Sequence, residues 1–325
     1  MKRVFAAAVA VLGVAVFTPP ASAQPYPNRT VTIVMPFPAG GPTDQLARVI
    51  ADALSKKFGQ SFIVENVTGG STIVGTNKVA KATPDGYTLL VHNLQISANP
   101  TLFKTLPFDT EKDLTPVMMI NRNAIVLAVR NGLQANTLKE LIALMKKERL
   151  KEALPGIGTT GHLTSRLFAK EVKVEIDEIP YRGGAPAVTD IMGEHVDLLF
   201  GTPQQLGPLA AAGKLKAIAY TQKDRLVQFP KAESFVDTLG PKFEIYYWQG
   251  MFAPAGTPEA VIKTLNAAIE EVVISDPAIQ KTWTDTGVSA FPKDQRSPAA
   301  GAKTLKSEIA RWGRVVRDNN IQIAQ

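Results

Sequence analysis

The sequence predicts an α/β fold in two units, each built on a mixed, mostly parallel sheet. Three observations lead there. Short apolar runs alternate with segments of helical periodicity, the pattern of strands joined by crossover helices. The pattern restarts at residue 124. In each unit a strand runs into a Gly-rich turn that opens a helix, at residues 35–46 and again at 154–167.

Each element follows from its residues. "VTIVM" (31–35) is a near-continuous apolar run, as expected for a strand covered on both faces. In the next segment Leu46, Val49, Ile50, Ala53, Leu54 and Phe58 recur at helical spacing, and Gly59 ends the helix. "SFIVEN" is a second strand, "STIVGTNKVAKA" a helix, "PDG" a turn and "YTLLVHN" a third strand. The second unit opens with the strand "AIVLAVR" (124–130). The helix "TLKELIALMKKERL" follows, with Thr137 as N-cap and Glu140 completing a capping box. "TTGHLTSRLFAKEV" places Leu163, Leu167, Phe168 and Val172 on one helical face. "VEIDEIPY", a helix closed near Gly193, a strand over 196–200 and the helix–strand pair "LGPLAAAGKLKAIAYT" complete the unit. Two tail helices follow, the second with Leu305, Ile309, Trp312 and Val316 in register.

Composition narrows the function. "MKRVFAAAVAVLGVAVFTPPASA" joins a basic start to an apolar run and an A-x-A site. It reads as a secretory signal peptide cleaved after Ala23, its apolar run being too short for an anchor. Its loss removes Lys2 and Arg3 and no acid, so net charge falls from +7 to +5. Cysteine is absent, which excludes disulfides, thiol catalysis and thiolate metal sites. Basic residues are scattered without interleaved aromatics, so nucleic acid is not expected as a partner. The small positive excess suits small anions.

The two turns carry the chemistry. In "PFPAGGPTD", Pro36 and Pro38 fix an extended approach, and Gly40 and Gly41 are expected to allow backbone geometry closed to other residues. Thr43 is expected to cap the helix that begins near Asp44. Backbone N–H groups then point at one spot by a helix N-terminus, an anion site. "PGIGTTGHLT" has the same ingredients in Gly156, Gly158, Gly161 and a capping Thr159 or Thr160. A helix dipole contributes about 0.3–1 kcal/mol when exposed. A hydrogen bond to a charged acceptor contributes about 1.5–3 kcal/mol. Three or four aligned amides therefore outweigh the dipole, and neither turn holds a Lys or Arg.

Catalytic motifs are missing. There is no G-x-x-x-x-G-K-[ST] and no G-x-S-x-G; the first turn, "AGGPTD", is not G-x-G-x-x-G, and dinucleotide binding is not expected of an exported chain. The three histidines, His92, His162 and His195, lie far apart, without metal-binding spacing. No metal and no cofactor are expected. His195 reads as a solvated turn residue. His162, near a helix N-terminus, reads either as a neutral donor or as a satisfied packing residue.

From "YPNRTVTIVMPFPAGGPTDQLAR" through "VAKATPDGYTLLV", "NPTLFKTLPFDTEKDLTPV", "GHLTSRLF", "PYRGGAPAVTDIMGEHVDLLF", "FAPAGTPEAVIKTLN" and "EIARW", the chain resembles the substrate-binding receptors of tripartite tricarboxylate transporters, the Bug family. The resemblance runs almost end to end. It implies a type II periplasmic-binding-protein fold, a Venus flytrap that closes on a small carboxylate and presents it to membrane permease subunits. Phe37, Ala39, Gly40, Gly41 and Thr43 match the family's first gripping loop, and Thr159, Thr160 and His162 its second. His92, Asn93, Gly201 and Thr202 should face the cleft. Val67 stands where relatives carry Arg, and Gly201 where they often carry an Asp able to hold an amino group. The latter shifts the expected ligand from amino acids to di- or tricarboxylates or aromatic acids.

The expectation is a periplasmic, monomeric receptor. Residues 24–123 and 226–325 form lobe I and residues 124–225 lobe II, with hinges near Asn123 and Arg225. Two other readings stand beside it. One is a receptor feeding a sensor protein. The other is an enzyme using His162 as base, disfavoured because no nucleophile or partner carboxylate is expected beside His162.

Overall fold

The computed structural model describes residues 26–321; the expected signal peptide lies outside them. The chain begins with β1 (Val31–Met35), α1 (Pro42–Phe58), β2 (Phe62–Asn66), α2 (Ile73–Ala80), β3 (Thr88–Asn93), α3 (Gln95–Leu102) and β4 (Leu114–Ala124). The second unit contains β5 (Val126–Val129), α4 (Leu138–Met145), β6 (Leu150–Leu154), α5 (Thr160–Val172), β7 (Ile176–Pro180), α6 (Gly184–Met192), β8 (Leu198–Gly201), α7 (Pro203–Ala211), β9 (Lys216–Tyr220), β10 (Glu233–Ser234) and α8 (Phe235–Leu239). The chain then returns through β11 (Tyr246–Pro254), α9 (Glu259–Ile269), α10 (Pro277–Asp285), β12 (Val288–Ala290) and α11 (Pro298–Asp318).

The two sheets share one plan. The first runs β2-β1-β3-β11-β4-β12 and the second β7-β6-β8-β5-β9-β10. In each, a parallel trio is followed by one strand set antiparallel between its neighbours: β11 between β3 and β4, β5 between β8 and β9. That strand carries the chain in from the other lobe, which is why it runs against its two neighbours. Two long strands at the middle of the first sheet, β4 and β11, escape the sequence reading because their polar residues break the apolar run.

One face of the first sheet is covered by α1 and α9, where Leu46, Ile50, Leu54, Leu265 and Ile269 pack on Ile33, Leu89 and Met251. Each such aliphatic side chain contributes about 1.5–3 kcal/mol on burial. The opposite face takes Leu305 and Trp312 of α11 against Leu90, Met119 and Phe252. In the second lobe Phe168, Phe200, Phe235 and Phe243 form a run of ring contacts at 5.5–5.9 Å.

The chain passes between sheets twice. The first passage, at Ala124–Ile125, lies beside the expected Asn123. The second differs from expectation. Glu233 and Ser234 still pair with β9, and the chain enters the first sheet only at Tyr246, some way past Arg225. The reason is a short return strand that a two-residue β10 does not announce in sequence. Thr221, fully buried, ties the two passages together. Its hydroxyl accepts from the Ile125 amide (2.9 Å) and donates to the Ile245 carbonyl (2.5 Å). Its own amide and carbonyl bond Ile125 and Ile245 at 3.0 Å each.

Candidate functional site

Beyond the carboxyl end of β1 the chain turns through Phe37–Gly41 into α1. Gly40 has φ +86°, the left-handed region where a side chain is strained. Gly41 does not need to be glycine for its backbone: φ is −78° and ψ 168°, ordinary extended values. The N-cap is Gly41, and Thr43 sits one position inside the first turn, so the expected capping role of Thr43 is corrected. No side chain caps the helix: Gly41 has none to offer, and Pro42 at the first helical position brings no N–H of its own. A Cβ on Gly41 would meet nothing nearer than the Pro38 carbonyl at 3.9 Å. The space over that amide is open.

Asp44 locks the turn from beneath. It is 2 % exposed, and its carboxylate accepts from the Gly40 amide (3.0 Å), Arg48 Nε (2.9 Å) and Asn66 Nδ2 (2.9 Å). Asn66 also donates to the Phe37 carbonyl at 3.1 Å. Burial alone would push the Asp44 carboxyl up, but Arg48, the Gly40 amide and Asn66 outweigh it and hold it below its usual range. The Gly40 amide is therefore spent inside the protein. Helical bonding begins at Gln45, which donates to the Gly41 carbonyl, so helix geometry leaves the amides of Gly41, Thr43 and Asp44 without an intrahelical acceptor.

The second turn repeats this device. Gly158 has φ +79°, Thr159 is the N-cap, and its hydroxyl accepts from the His162 amide (3.4 Å) while donating to the Gly156 carbonyl (2.8 Å). His162 occupies the position in α5 that Asp44 occupies in α1. Its Nδ1 accepts from the Gly158 amide at 2.9 Å, as Asp44 accepts from Gly40. The residue four further on is Arg in both helices, Arg48 and Arg166. The Thr160 and Gly161 amides are the ones left over. Thr160 Oγ1 is buried with no partner among the described residues. Gly161 must be glycine, because a Cβ would stand 2.4 Å from the Phe200 carbonyl.

His162 also has the partner carboxylate the sequence did not anticipate. Its Nε2 lies 3.2 Å from Glu178 Oε1, and Arg166 binds the same carboxylate at 2.6 Å. Glu178 is pushed up by burial, but His162 and Arg166 prevail and hold it below its ordinary range. Nδ1 accepts from the Gly158 amide, and Nε2 is wedged between Glu178 Oε1 and Arg166 Nε, 3.5 Å from the latter. Both nitrogens are engaged, which fits a satisfied positioning residue.

A polar knot sits beside the first turn. The Thr43 hydroxyl and the Tyr247 phenol are 2.5 Å apart, and Asn93 Nδ2 donates to both, at 3.2 and 3.1 Å. Gln249 Nε2 reaches the same phenol at 3.5 Å. Burial pushes the Tyr247 phenol up, so it remains a neutral donor. Thr43 and Asn93 were named from sequence. Tyr247 and Gln249 were not, although polar residues at alternate positions of a buried strand were the available signal.

The remaining expected residues fall less close together. Phe37 stands half-buried over His92, rings 5.1 Å apart edge to face, while Ala39 is exposed. His92 has no exposed surface, and burial pushes its imidazole down to about 3. It sits under Phe37 and opens to no cleft. Gly201 is glycine for packing, since a Cβ would lie 2.9 Å from Leu206. Thr202 is buried, occupies the N-cap position just before α7, and its hydroxyl donates to Gln205 Oε1 at 3.3 Å. Gln205 in turn fills the space beside Gly184, and the neighbouring Gly183 comes within 3.9 Å of Pro38 when given a Cβ. The first turn and the loop after β7 thus face each other across the lobes.

A family model described as "Tripartite tricarboxylate transporter family receptor" matches residues 46–321. The chain belongs to this family of receptors. Protein BugT of Bordetella pertussis is 32% identical over 325 residues, covering 97% of this chain and 98% of BugT. The structure of the periplasmic binding protein BugD superposes with TM-score 0.84 at 30% identity, over 92% of this receptor chain and all of that one. MatC from Rhodopseudomonas palustris, solved with bound malate, gives 0.83 at 32% identity over 90% of this chain and all of MatC. These neighbours agree with the two-lobed architecture described above.

Proposed function

We propose that this receptor captures a small organic carboxylate, a di- or tricarboxylate or an aromatic acid, between the two turns. One observation carries the reading: the same amide-freeing device is built twice, once at the head of each lobe. In both turns the amide before the cap is bound internally by the third helical residue, and the amides after it are left for a ligand. No cation is needed at the point of contact. The malate seen in MatC is consistent with this ligand class.

The site is assigned to Gly41 and Thr43 of the first turn, Thr160 and Gly161 of the second, and Asn93 behind the first. Phe37 and Ala39 flank it. Thr159 and His162 shape the second turn, and Gly40 the first. His92, Gly201 and Thr202 act from behind. The lobes close about Ala124–Ile125 and Ile245. The receptor works in the periplasm after loss of residues 1–23, as a monomer, and hands its ligand to permease subunits of a tripartite tricarboxylate transporter. Among the described residues no helix is long and apolar enough to cross a membrane. The protein does no chemistry on its ligand, since neither nitrogen of His162 is free to act as base.

A thermal-shift screen tests the reading. Malate, adipate, citrate and benzoate are compared with amino acids. A ligand at a hundredfold over its dissociation constant adds about 2.7 kcal/mol of stability. At least one acid should raise the melting point and be recovered unchanged. If amino acids alone raise it, the ligand class is wrong. If product forms, the receptor reading gives way to an enzyme.

A further inference from the structure

The polar knot around Tyr247 has a direction that can be counted. Asn93 Oδ1 accepts from the Gln95 amide at 3.0 Å, which settles the orientation of that side chain: Nδ2 faces Thr43 and Tyr247 and can only donate. The phenol oxygen receives Asn93 Nδ2 at 3.1 Å and Gln249 Nε2 at 3.5 Å. Its accepting capacity is then used, so its own hydrogen must be the one in the 2.5 Å contact with Thr43. Thr43 Oγ1 accepts from both Tyr247 and Asn93 and has no lone pair left. Its own hydrogen is then left without an acceptor among Tyr247, Asn93 and Gln249. It belongs to a residue whose own amide is also free, in the first turn of α1.

We infer that Tyr247 is a positioning residue which, with Asn93, fixes the Thr43 hydroxyl as a donor into the cleft. The proposal rests on the receptor reading above and sharpens it. The lobe I half of the site then gathers three donors: the amides of Gly41 and Thr43 and the Thr43 hydroxyl. It selects a group that only accepts, an ionised carboxylate, and disfavours any group carrying its own N–H hydrogens. Tyr247 lies two residues beyond Ile245, so the donor is set from the strand that joins the lobes.

The test is a double-mutant cycle read by titration calorimetry, using whichever of malate, adipate, citrate and benzoate gives the largest melting shift with wild type. Thr43→Val should weaken binding about tenfold or more, the loss of one hydrogen bond to a charged acceptor. Thr43→Ser should restore it to within about threefold of wild type. Tyr247→Phe should weaken binding on its own but add nothing in the Thr43→Val background, because it acts only through that hydroxyl. The ligand-free melting points of the variants show that they fold. Full additivity of the two losses, or normal binding by Thr43→Val, overturns the inference. If wild type binds none of the acids, the receptor reading itself has failed, and that is seen before any variant is made.

Discussion

Replacing Gly41 by valine separates ligand binding from folding. The backbone there already lies where valine is comfortable, at φ −78° and ψ 168°, and the nearest atom to an added Cβ is 3.9 Å away. The cost to the fold is then the poorer N-cap, about 0.5–1 kcal/mol. In a protein of this size that lowers the melting point by only about 1–3 °C. The cost to binding is much larger. The isopropyl group occupies the open space over the turn and keeps a carboxylate from the Gly41 and Thr43 amides. Two hydrogen bonds to a charged acceptor contribute about 3–6 kcal/mol, on the order of 100-fold to more than 10,000-fold in affinity.

Gly40→Val is the matched control, because its neighbour is the reverse case. At φ +86° a β-branched residue is strained by about 1–2 kcal/mol or more, and the amide held by Asp44 is displaced. That variant should lose stability and binding together. Calorimetric titration with a screened acid, alongside ligand-free melting curves, distinguishes the two. If Gly41→Val folds and still binds within about threefold of wild type, the first turn holds no ligand and the amide argument is refuted.

Two further outcomes follow from buried groups away from the cleft. Glu152 is 1 % exposed, takes the Ser165 hydroxyl and leaves Oε1 without a partner among the described residues; burial pushes its carboxyl well above the ordinary 4.5. The folded state holds this proton more tightly than the unfolded one, so stability falls as pH rises above about 4.5. Glu152→Gln should be more stable than wild type in urea at pH 8, with the gain fading toward pH 4.5, and equal midpoints at pH 8 would contradict it. Thr221→Val should cost about 2–5 kcal/mol by stranding the Ile125 amide and Ile245 carbonyl; an unchanged denaturation midpoint would show that the pin carries no load.

The turns were legible because glycine and proline punctuate local structure. "PFPAGG" and "PGIGTTG" announce strand-to-helix junctions without tertiary information. The capping box of Thr137 and Glu140 was legible for the same reason, and both of its bonds form. What could not be read was which amides the protein keeps for itself. That depends on Asp44 and His162 folding back on their own turns, and thus on side-chain direction within one helical turn. The clue was the shared spacing of glycine, then Asp or His four residues on, then Arg four beyond. Tyr247 was out of reach, since it meets Thr43 from 204 residues away through a central strand.

The two turns do the same job with groups of different charge, and the difference explains where the arginine stands. Asp44 is an anion lodged beneath a site built for an anion. At about 5 Å and an effective dielectric of about 20, such a pair repels by about 3 kcal/mol, as much as a ligand gains from one or two amides. Arg48 cancels that charge from the next turn of α1, bonding the carboxylate through Nε and a terminal nitrogen, so it neutralises the lock without entering the turn. In the second lobe the lock is a neutral imidazole, and the charge behind it belongs to Glu178, one side chain further back and bound by Arg166. In the proposed site, both helices would therefore offer their amides to a carboxylate with little charge opposing it. That proposed site lets a receptor with no lysine or arginine in either turn hold an organic carboxylate by hydrogen bonds.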